Sequence, residues 1–331
     1  FPLWLSKIWI KNFGFEKSLK LCDAINQIPP ITVRANSLKT DRKALAAIIE
    51  NFAENVTLTE HAENGISFTR PSMPIADMQA FKDGFFQVQD EAAQLITSIL
   101  DPKPGENILD ACAGLGGKTG HAGQLMKNQG NLTAWDINKN KLSSLESEMK
   151  RVGITIVKTR QMDLLETTKN EYHNSFDRVL VDAPCTGLGV LRRNPDSKWS
   201  RCKNDITRLA KIQSCMLLNA AELVKPGGTL VYAVCSCHPL ENEELIIPFL
   251  KKRDDFFINK NIPCLDKSSN RGKDQFHNTG MDKFSNTNLN KLYNINKLYN
   301  KGMISDNGFF RTYPDNLFMD GFFAVSMQRK K

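Results

Sequence analysis

The feature that most constrains the fold is a regular alternation of short apolar, β-prone runs with longer amphipathic segments beyond residue 89. Helical segments of about 15 residues separate most of the runs. Strands that alternate with helices in this way predict a parallel sheet covered by helices, an α/β fold of the Rossmann-like kind. The predicted strands are residues 107–111, 132–136, 155–158, 178–181 and 229–234.

The first 88 residues follow a different pattern. Apolar residues recur at helical spacings over residues 1–25, which predicts a helical lead segment. Pro29 and Pro30 end that pattern. Residues 26–88 are predicted as a small α+β RNA-recognition domain, and residues 89–331 as the α/β domain. Within the small domain we expect a strand at 31–35, a helix from Asp41 to about Phe52, and short strands at 56–59 and 66–68.

One polar stretch interrupts the α/β domain. Residues 259–308 are rich in asparagine, and Asn-Lys-Leu-Tyr-Asn occurs twice, starting at Asn290 and at Asn296. Such a composition buries little apolar surface, so a flexible insertion is predicted. Order is expected to return in residues 320–325, the predicted last strand.

The charge balance permits nucleic-acid binding. The chain of 331 residues carries 44 Lys and Arg against 36 Asp and Glu, a formal net charge of +8. Residues 191–211 hold seven basic and two acidic residues, so positive charge is concentrated in this segment. The candidate RNA contacts there are Arg192, Arg193 and Lys198, with Arg34 as a possible extension, whereas Trp199 is expected in the core.

Composition also excludes several classes of protein. No apolar run approaches the roughly 20 residues that a membrane span needs. Eight cysteines are scattered along the chain without any C-x-x-C pair, which argues against a disulfide scaffold and against a metal site. We expect a reduced, cytoplasmic, monomeric protein.

A glycine-rich loop, CAGLGGKT at residues 112–119, follows the first predicted strand of the α/β domain. A P-loop would need glycine where Cys112 stands, and a dinucleotide fingerprint would need glycine at Thr119. S-adenosylmethionine is the third ligand that suits such a loop, with a ribose-binding carboxylate at the end of the next strand. Asp136 supplies that carboxylate but would also suit a dinucleotide, so the loop alone leaves both ligands open.

Two cysteines follow two apolar strands. Cys185 comes after a strand that ends in Asp182, and Cys235 comes directly after the strand at 229–234. Because the carboxyl ends of parallel strands face one crevice, both thiols are expected there. Methylation at C5 of a pyrimidine needs this set: a thiolate adds at C6 and makes C5 nucleophilic, and a carboxyl group supports protonation at N3. The base must be single-stranded or flipped out.

Together these motifs resemble the Nol/Nop/Sun family of RNA cytosine-5 methyltransferases, and within it the RsmB branch, which acts on 16S rRNA. The resemblance runs from the first residues to Asp320-Gly321-Phe322-Phe323, outside the asparagine-rich stretch. The segments that carry it are 30–36 (PITVRAN), 88–92 (VQDEA), 112–119, 182–187 (DAPCTG), 192–199 (RRNPDSKW), and Cys235-Ser236 with Glu241-Asn242-Glu243.

The resemblance implies a Rossmann-like, S-adenosylmethionine-dependent methyltransferase that acts on rRNA, with 16S rRNA as its partner. It implies that Cys235 is the nucleophile, that Cys185 assists product release, and that Asp182 lies between cofactor and target base. Asp136 would bind the ribose and Asp163 the adenine side. The implied cofactor loop consists of Cys112, Ala113, Gly114, Leu115, Gly116, Gly117 and Lys118.

Two departures keep other functions open. Leu115 stands where the family has proline, and Val234 stands where threonine usually precedes the nucleophile. A non-catalytic RNA-binding or ribosome-assembly factor of the same fold is therefore one alternative. A DNA cytosine-5 methyltransferase using Cys185 is another, and Glu54-Asn55-Val56 matches the tripeptide of those enzymes. A nicotinamide dehydrogenase is a third, but it would have no use for the two cysteines.

Overall fold

A four-stranded antiparallel sheet forms the N-terminal part of the computed structural model, which describes residues 1–166, 170–260, 302–317 and 319–331. Its strand order is β2-β3-β1-β4, with two helices ahead of it and two packed among its strands. The elements are α1 (Leu3–Phe13), α2 (Phe15–Ile25), β1 (Ile31–Ala35), α3 (Arg42–Glu50), β2 (Glu54–Leu58), β3 (Gly65–Thr69), α4 (Gln79–Lys82) and β4 (Phe86–Val88).

The larger sheet has the order β10-β12-β9-β8-β5-β6-β7, with β11 paired to β12. Its elements are α5 (Glu91–Leu100), β5 (Asn107–Asp110), α6 (Gly117–Leu125), β6 (Asn131–Asp136), α7 (Lys139–Val152), β7 (Val157–Gln161), β8 (Phe176–Asp182), α8 (Ser197–Ser200), α9 (Lys203–Leu223), β9 (Val224–Val234), α10 (Glu243–Lys252), β10 (Phe256–Ile258), β11 (Phe309–Arg311), α11 (Pro314–Leu317) and β12 (Phe323–Arg329).

Five adjacent strands of this sheet, β9, β8, β5, β6 and β7, are parallel, which confirms the predicted Rossmann-like α/β class. The chain order reverses at β5, because β6 lies on one side of it and β8 on the other. Ligands of such sheets bind at this reversal, beyond the carboxyl ends of the strands. Apolar side chains of α5 pack on one face of the sheet and those of α9 on the other, so both faces are covered.

Local chemistry explains several boundaries. Gly14, with a φ of 78°, divides the predicted helical lead into α1 and α2. The Asp41 carboxylate accepts hydrogen bonds from the backbone N–H groups of Lys43 and Ala44, so α3 begins where the sequence predicted. Asp90 caps α5 in the same way through Ala92.

The asparagine-rich stretch ends earlier than predicted. Most of it, residues 261–301 with Cys264, lies outside the described residues. Met303 and Ile304 are buried in the core, and β11 pairs with β12, so residues 302–308 belong to the packed domain. The last strand also runs later than predicted, because its apolar residues pair with β9 from Phe323 onwards.

Arg34 is not at the surface, so its prediction as an RNA contact is wrong. The side chain is only 2% exposed and donates to the side chains of Gln87, Gln89 and Gln124 and to the carbonyl of Gly117, 3.1 Å away. Burial lowers its pKa to about 9. Arg34 therefore ties β1 to the start of α6, joining the small sheet to the α/β domain.

No helix among the described residues is long and apolar enough to span a membrane.

Candidate active site

A cleft of about 380 Å³ opens at the carboxyl ends of β5, β6 and β8. Its walls come from the glycine-rich loop, from the segments after β6 and β7, and from α9. Five residues predicted to bind the cofactor line it: Cys112, Gly114, Asp136, Asp163 and Asp182. The structure adds residues that the sequence had not indicated, notably Ile137, Lys141 and Met162.

The glycine-rich loop is shaped by positive backbone torsions. Gly114 and Gly116 have φ values of 56° and 88°, and α6 begins at Gly117. A Cβ on Gly116 would lie 2.7 Å from Leu145 Cγ, whereas one on Gly114 would meet no protein atom within 4 Å. Gly116 therefore serves packing, and Gly114 leaves room in the cleft. Leu115, at the tip of the loop, is exposed and is not among the lining residues.

Asp136 both hydrogen-bonds to the glycine-rich loop and lines the cleft. One carboxylate oxygen accepts the N–H of Gly114 at 2.9 Å and the other accepts the N–H of Asn138 at 2.8 Å. Each oxygen keeps a second lone pair, so the carboxylate can still accept hydroxyl hydrogen bonds. Asp163 is fixed similarly, by the N–H of Leu165.

The side chains of Cys185 and Cys235, which the sequence predicted to share one crevice, are in contact. Cys185 Sγ and Cys235 Sγ are 3.3 Å apart. The hydrogen bond with Cys235, then burial, then the charges of Cys235 and Glu241 raise the pKa of Cys185 well above its ordinary value. The raised pKa therefore keeps Cys185 as a thiol beside the sulfur of Cys235.

A lysine stands between the cofactor cleft and the thiols. Lys118 Nζ lies 2.5 Å from Asp182 Oδ2. Burial by itself lowers the pKa of Lys118, but Asp182, followed by Asp110 and Cys235, raises it above its ordinary value. The ammonium group is thus charged in the resting protein and ion-paired with Asp182. The sequence had assigned Lys118 only to the loop.

Glu241 joins the two cysteine loops, a role that the sequence did not reveal. Its side chain is fully buried and accepts hydrogen bonds from the N–H and the hydroxyl of Thr186 and from the hydroxyl of Ser236. Gln213 Nε2 adds a further bond of 2.9 Å. Thr186 and Ser236 directly follow Cys185 and Cys235, so one carboxylate fixes the separation of the thiols. Its sequence signal is an acid six residues beyond the nucleophile.

Two of the predicted RNA contacts are engaged elsewhere. The Arg192 side chain is buried and its Nε lies 2.7 Å from Asp320. Arg193 binds Asp90 at 2.7 Å, Asp320, and the carbonyl of Pro30. The prediction for Arg192 is wrong, because its guanidinium group is buried against a carboxylate, whereas the Arg193 side chain is 27% exposed and its RNA contact stays a prediction. Lys198 is half-buried with its ammonium 4.8 Å from the Phe1 ring centre, and its RNA contact stays a prediction.

Trp199 is 64% exposed, so its predicted place in the core is also wrong. It lies in α8, on the short connection between the arginine pair and α9.

Two family models match this chain. A family model described as 16S rRNA methyltransferase RsmB/F matches residues 97–328, and a model of the RsmF/B-like ferredoxin-like domain matches residues 1–76. The probable ribosomal RNA small subunit methyltransferase B of Bacillus subtilis is 40% identical over 256 residues, 77% of this chain and 57% of that protein. The chain thus spans little more than half the length of this relative.

Two further relatives extend the comparison. A mouse 28S rRNA (cytosine-C(5))-methyltransferase is 36% identical over 76% of this chain and 32% of its own length. Among solved structures, NSun6 from Pyrococcus horikoshii, determined with SFG, has a TM-score of 0.77 at 21% identity, covering 100% of this chain and 98% of that one. A methyltransferase homologue from the same organism has a TM-score of 0.72 at 25% identity, covering 99% and 95%.

Proposed function

This chain belongs to the RsmB/F family of rRNA methyltransferases, and from that premise we propose that it transfers a methyl group from S-adenosylmethionine to C5 of a cytosine in 16S rRNA. The observation that carries the proposal is the pair of sulfur atoms 3.3 Å apart beside Lys118 and Asp182. The small-subunit rRNA relatives support the choice of 16S rRNA, and the mouse relative supports cytosine C5.

The cleft fits S-adenosylmethionine. Its volume of about 380 Å³ lies in the range of ligand sites. Gly114 leaves open space where a side chain would intrude, and Asp136 keeps acceptor capacity for ribose hydroxyls. Asp163 would receive the adenine side. The NSun6 structure contains SFG, an analogue of this cofactor, in the same fold. The cofactor supplies the electrophilic methyl group.

The chain's own residues activate the base. Cys235 adds as a thiolate to C6 of the cytosine, with Lys118 stabilising its charge beforehand. A proton passes from the Lys118 ammonium through the Asp182 carboxylate to N3 as the C6–S bond forms, so the ring becomes a neutral enamine with a nucleophilic C5. C5 then takes the methyl group and still holds its original proton.

Release requires a base for that proton, and Cys185 becomes one. Once Cys235 is bound to C6 it no longer carries charge, so the main cause of the raised pKa of Cys185 is gone. Cys185 loses its proton to solvent and then takes the proton from C5. The C6–S bond breaks, Cys235 leaves as a thiolate, and N3 returns its proton through Asp182 to Lys118. One proton is released overall for each methyl group transferred.

Bisulfite mapping of rRNA tests the proposal. Cells that lack the gene should lose methylation at one cytosine of 16S rRNA, and the wild-type gene should restore it while a Cys235→Ala gene should not. An rRNA cytosine pattern unchanged by the deletion would contradict rRNA methylation, and a loss confined to 23S rRNA would contradict the 16S assignment.

A further inference from the structure

We propose that a basic groove beside the Cys235 loop binds the RNA nucleotides that flank the target cytosine. The inference rests on the proposed function. The groove, called here the flanking groove, has a volume of about 330 Å³ and lies between α1, α9 and the turn after Cys235. Its principal lining residues are Ile8, Lys11, Lys203, Ile206, His238 and Leu240.

The flanking groove lies within reach of the reacting base. His238 is three residues beyond Cys235, so their Cα atoms are at most about 11 Å apart. On α9, Ile206 lines the groove and Ile212 lines the cofactor cleft, a separation of about 9 Å along the helix. A strand whose target base occupies the site between Cys235 and the cleft would bring its neighbouring nucleotides to this groove.

Its lysines are available to phosphates, unlike the arginine pair that the sequence had favoured. Lys11 and Lys203 are exposed, and neither has a carboxylate within ion-pair distance in the described part of the chain. Lys7 is exposed one helical turn before Lys11. Glu244 is the acid among the lining residues, and a carboxylate there can accept a ribose 2′-hydroxyl.

The remaining walls suit a nucleotide rather than a bare anion. His238 Nδ1 accepts the N–H of Leu240 at 3.1 Å, which leaves the proton on Nε2 as a donor. Burial lowers the pKa of His238, so this donor is neutral at pH 7. Ile8, Ile206 and Leu240 add an apolar surface against which a base can pack.

Trp199 adds an exposed aromatic ring four residues before Lys203 in the chain. The adjacent Lys198 lies over the ring of Phe1, which precedes α1 by two residues. An indole that is 64% exposed is a stacking surface for an unpaired base. Two lysines, a neutral donor and an aromatic ring together are the chemistry of a single-stranded RNA site.

RNA binding tests the groove. The probe is a fluorescent single-stranded RNA of the 16S sequence around the methylated cytosine, titrated by anisotropy at several salt concentrations. Lys11→Ala/Lys203→Ala should weaken binding about tenfold and reduce the slope of log K against log salt by about 1.4, because each single-strand phosphate contact contributes about 0.7. Trp199→Ala should weaken binding at least about fivefold with the slope unchanged, because stacking releases no counterions.

The matched control is Lys251→Ala/Lys252→Ala at the opposite end of α10 from Glu244, which removes two exposed lysines that do not line the groove. Binding of both lysine variants equal to wild type, or equal weakening in both, would overturn the proposal. If wild type binds and methylates RNA while the groove variants bind it like the control, the groove proposal is wrong and the proposed function stands. If wild type binds the RNA but transfers no methyl group, the proposed function is wrong and the binding comparison still decides the groove. A wild type that binds no RNA would overturn both.

Discussion

At the scale of single residues, the two thiols are distinguished by their surroundings. The hydrogen bond with Cys235 and burial raise the pKa of Cys185, whereas Cys235 lies within the electrostatic reach of Lys118. The DNA-type alternative would require Cys185 to act as the thiolate. The raised pKa opposes that role, and Glu54-Asn55-Val56 lies in β2 of the small sheet.

Glu241 is expected to control the separation of the thiols. Glu241→Ala leaves the buried N–H of Thr186 and the amide of Gln213 without their acceptor, so the free energy of unfolding should fall by about 3 kcal/mol. Adduct formation with 5-fluorocytosine RNA should slow at least about tenfold. Glu241→Gln keeps an acceptor oxygen and should recover part of both. An alanine variant that is destabilised yet forms the adduct at the wild-type rate would limit Glu241 to a structural role.

Asp110 makes stability depend on pH. Burial is the main cause that raises its pKa to about 6, against the hydrogen bond from Thr119. A carboxyl whose pKa is higher in the folded state stabilises the protein below its unfolded value of about 3.9, and that stability is lost as pH rises through about 6. Relative to Asp110→Asn, the free energy of unfolding of wild type should therefore fall by about 2 kcal/mol between pH 4 and pH 7 in urea unfolding. A constant difference would contradict this.

At the scale of elements, two glycines of the glycine-rich loop have different roles: Gly114 is expected to matter for cofactor binding and Gly116 for folding. Gly114→Ala adds a methyl group in the open cleft at a positive φ, so unfolding should become easier by only about 1 kcal/mol while the dissociation constant for S-adenosylmethionine rises at least about tenfold. Gly116→Ala adds a methyl group against Leu145 and should cost about 3 kcal/mol. Calorimetry and denaturation distinguish the two. A Gly114→Ala protein with wild-type affinity would contradict the assigned loop.

Elements that carry their own pattern were predictable from the sequence. β1 matches its predicted bounds because Pro30 precedes it and alternating apolar residues form it. Four strands of the larger sheet lie on the apolar runs that predicted them. The short strands β4, β10 and β11 were missed, because three residues give no periodicity and only their partners define them. The burial of Arg34 could not be predicted from the sequence either, because its acceptors Gln87 and Gln124 lie far along the chain.

At the scale of the whole molecule, the helical lead and the arginine pair hold the active-site loops in place. Leu5 and Trp9 of α1 pack with Leu188 and Leu191, which follow Cys185. We propose that the domain boundary lies after Val88, where β4 ends, and that the Arg192–Arg193 cluster crosses it through Asp90 and Pro30. The thiol pair thus depends on contacts from three regions of the chain.

Arg193→Ala tests this cluster. It removes a partner from the buried carboxylates of Asp90 and Asp320, so the free energy of unfolding should fall by about 3 kcal/mol. The salt dependence of RNA binding by the folded variant should match that of wild type, because the Arg193 charge is balanced by the carboxylates of Asp90 and Asp320. A stable variant with a reduced salt slope would support Arg193 as an RNA contact.

Covalent trapping tests the central claim most directly. The RNA around the target cytosine, carrying 5-fluorocytosine at that position, is incubated with S-adenosylmethionine and each protein, and the adducts are resolved on a denaturing gel. Wild type and Cys185→Ala should form the adduct and Cys235→Ala should not. With unmodified RNA, only Cys185→Ala should retain it, because release is blocked. An adduct formed by Cys235→Ala and absent from Cys185→Ala would reverse the two roles and contradict the account.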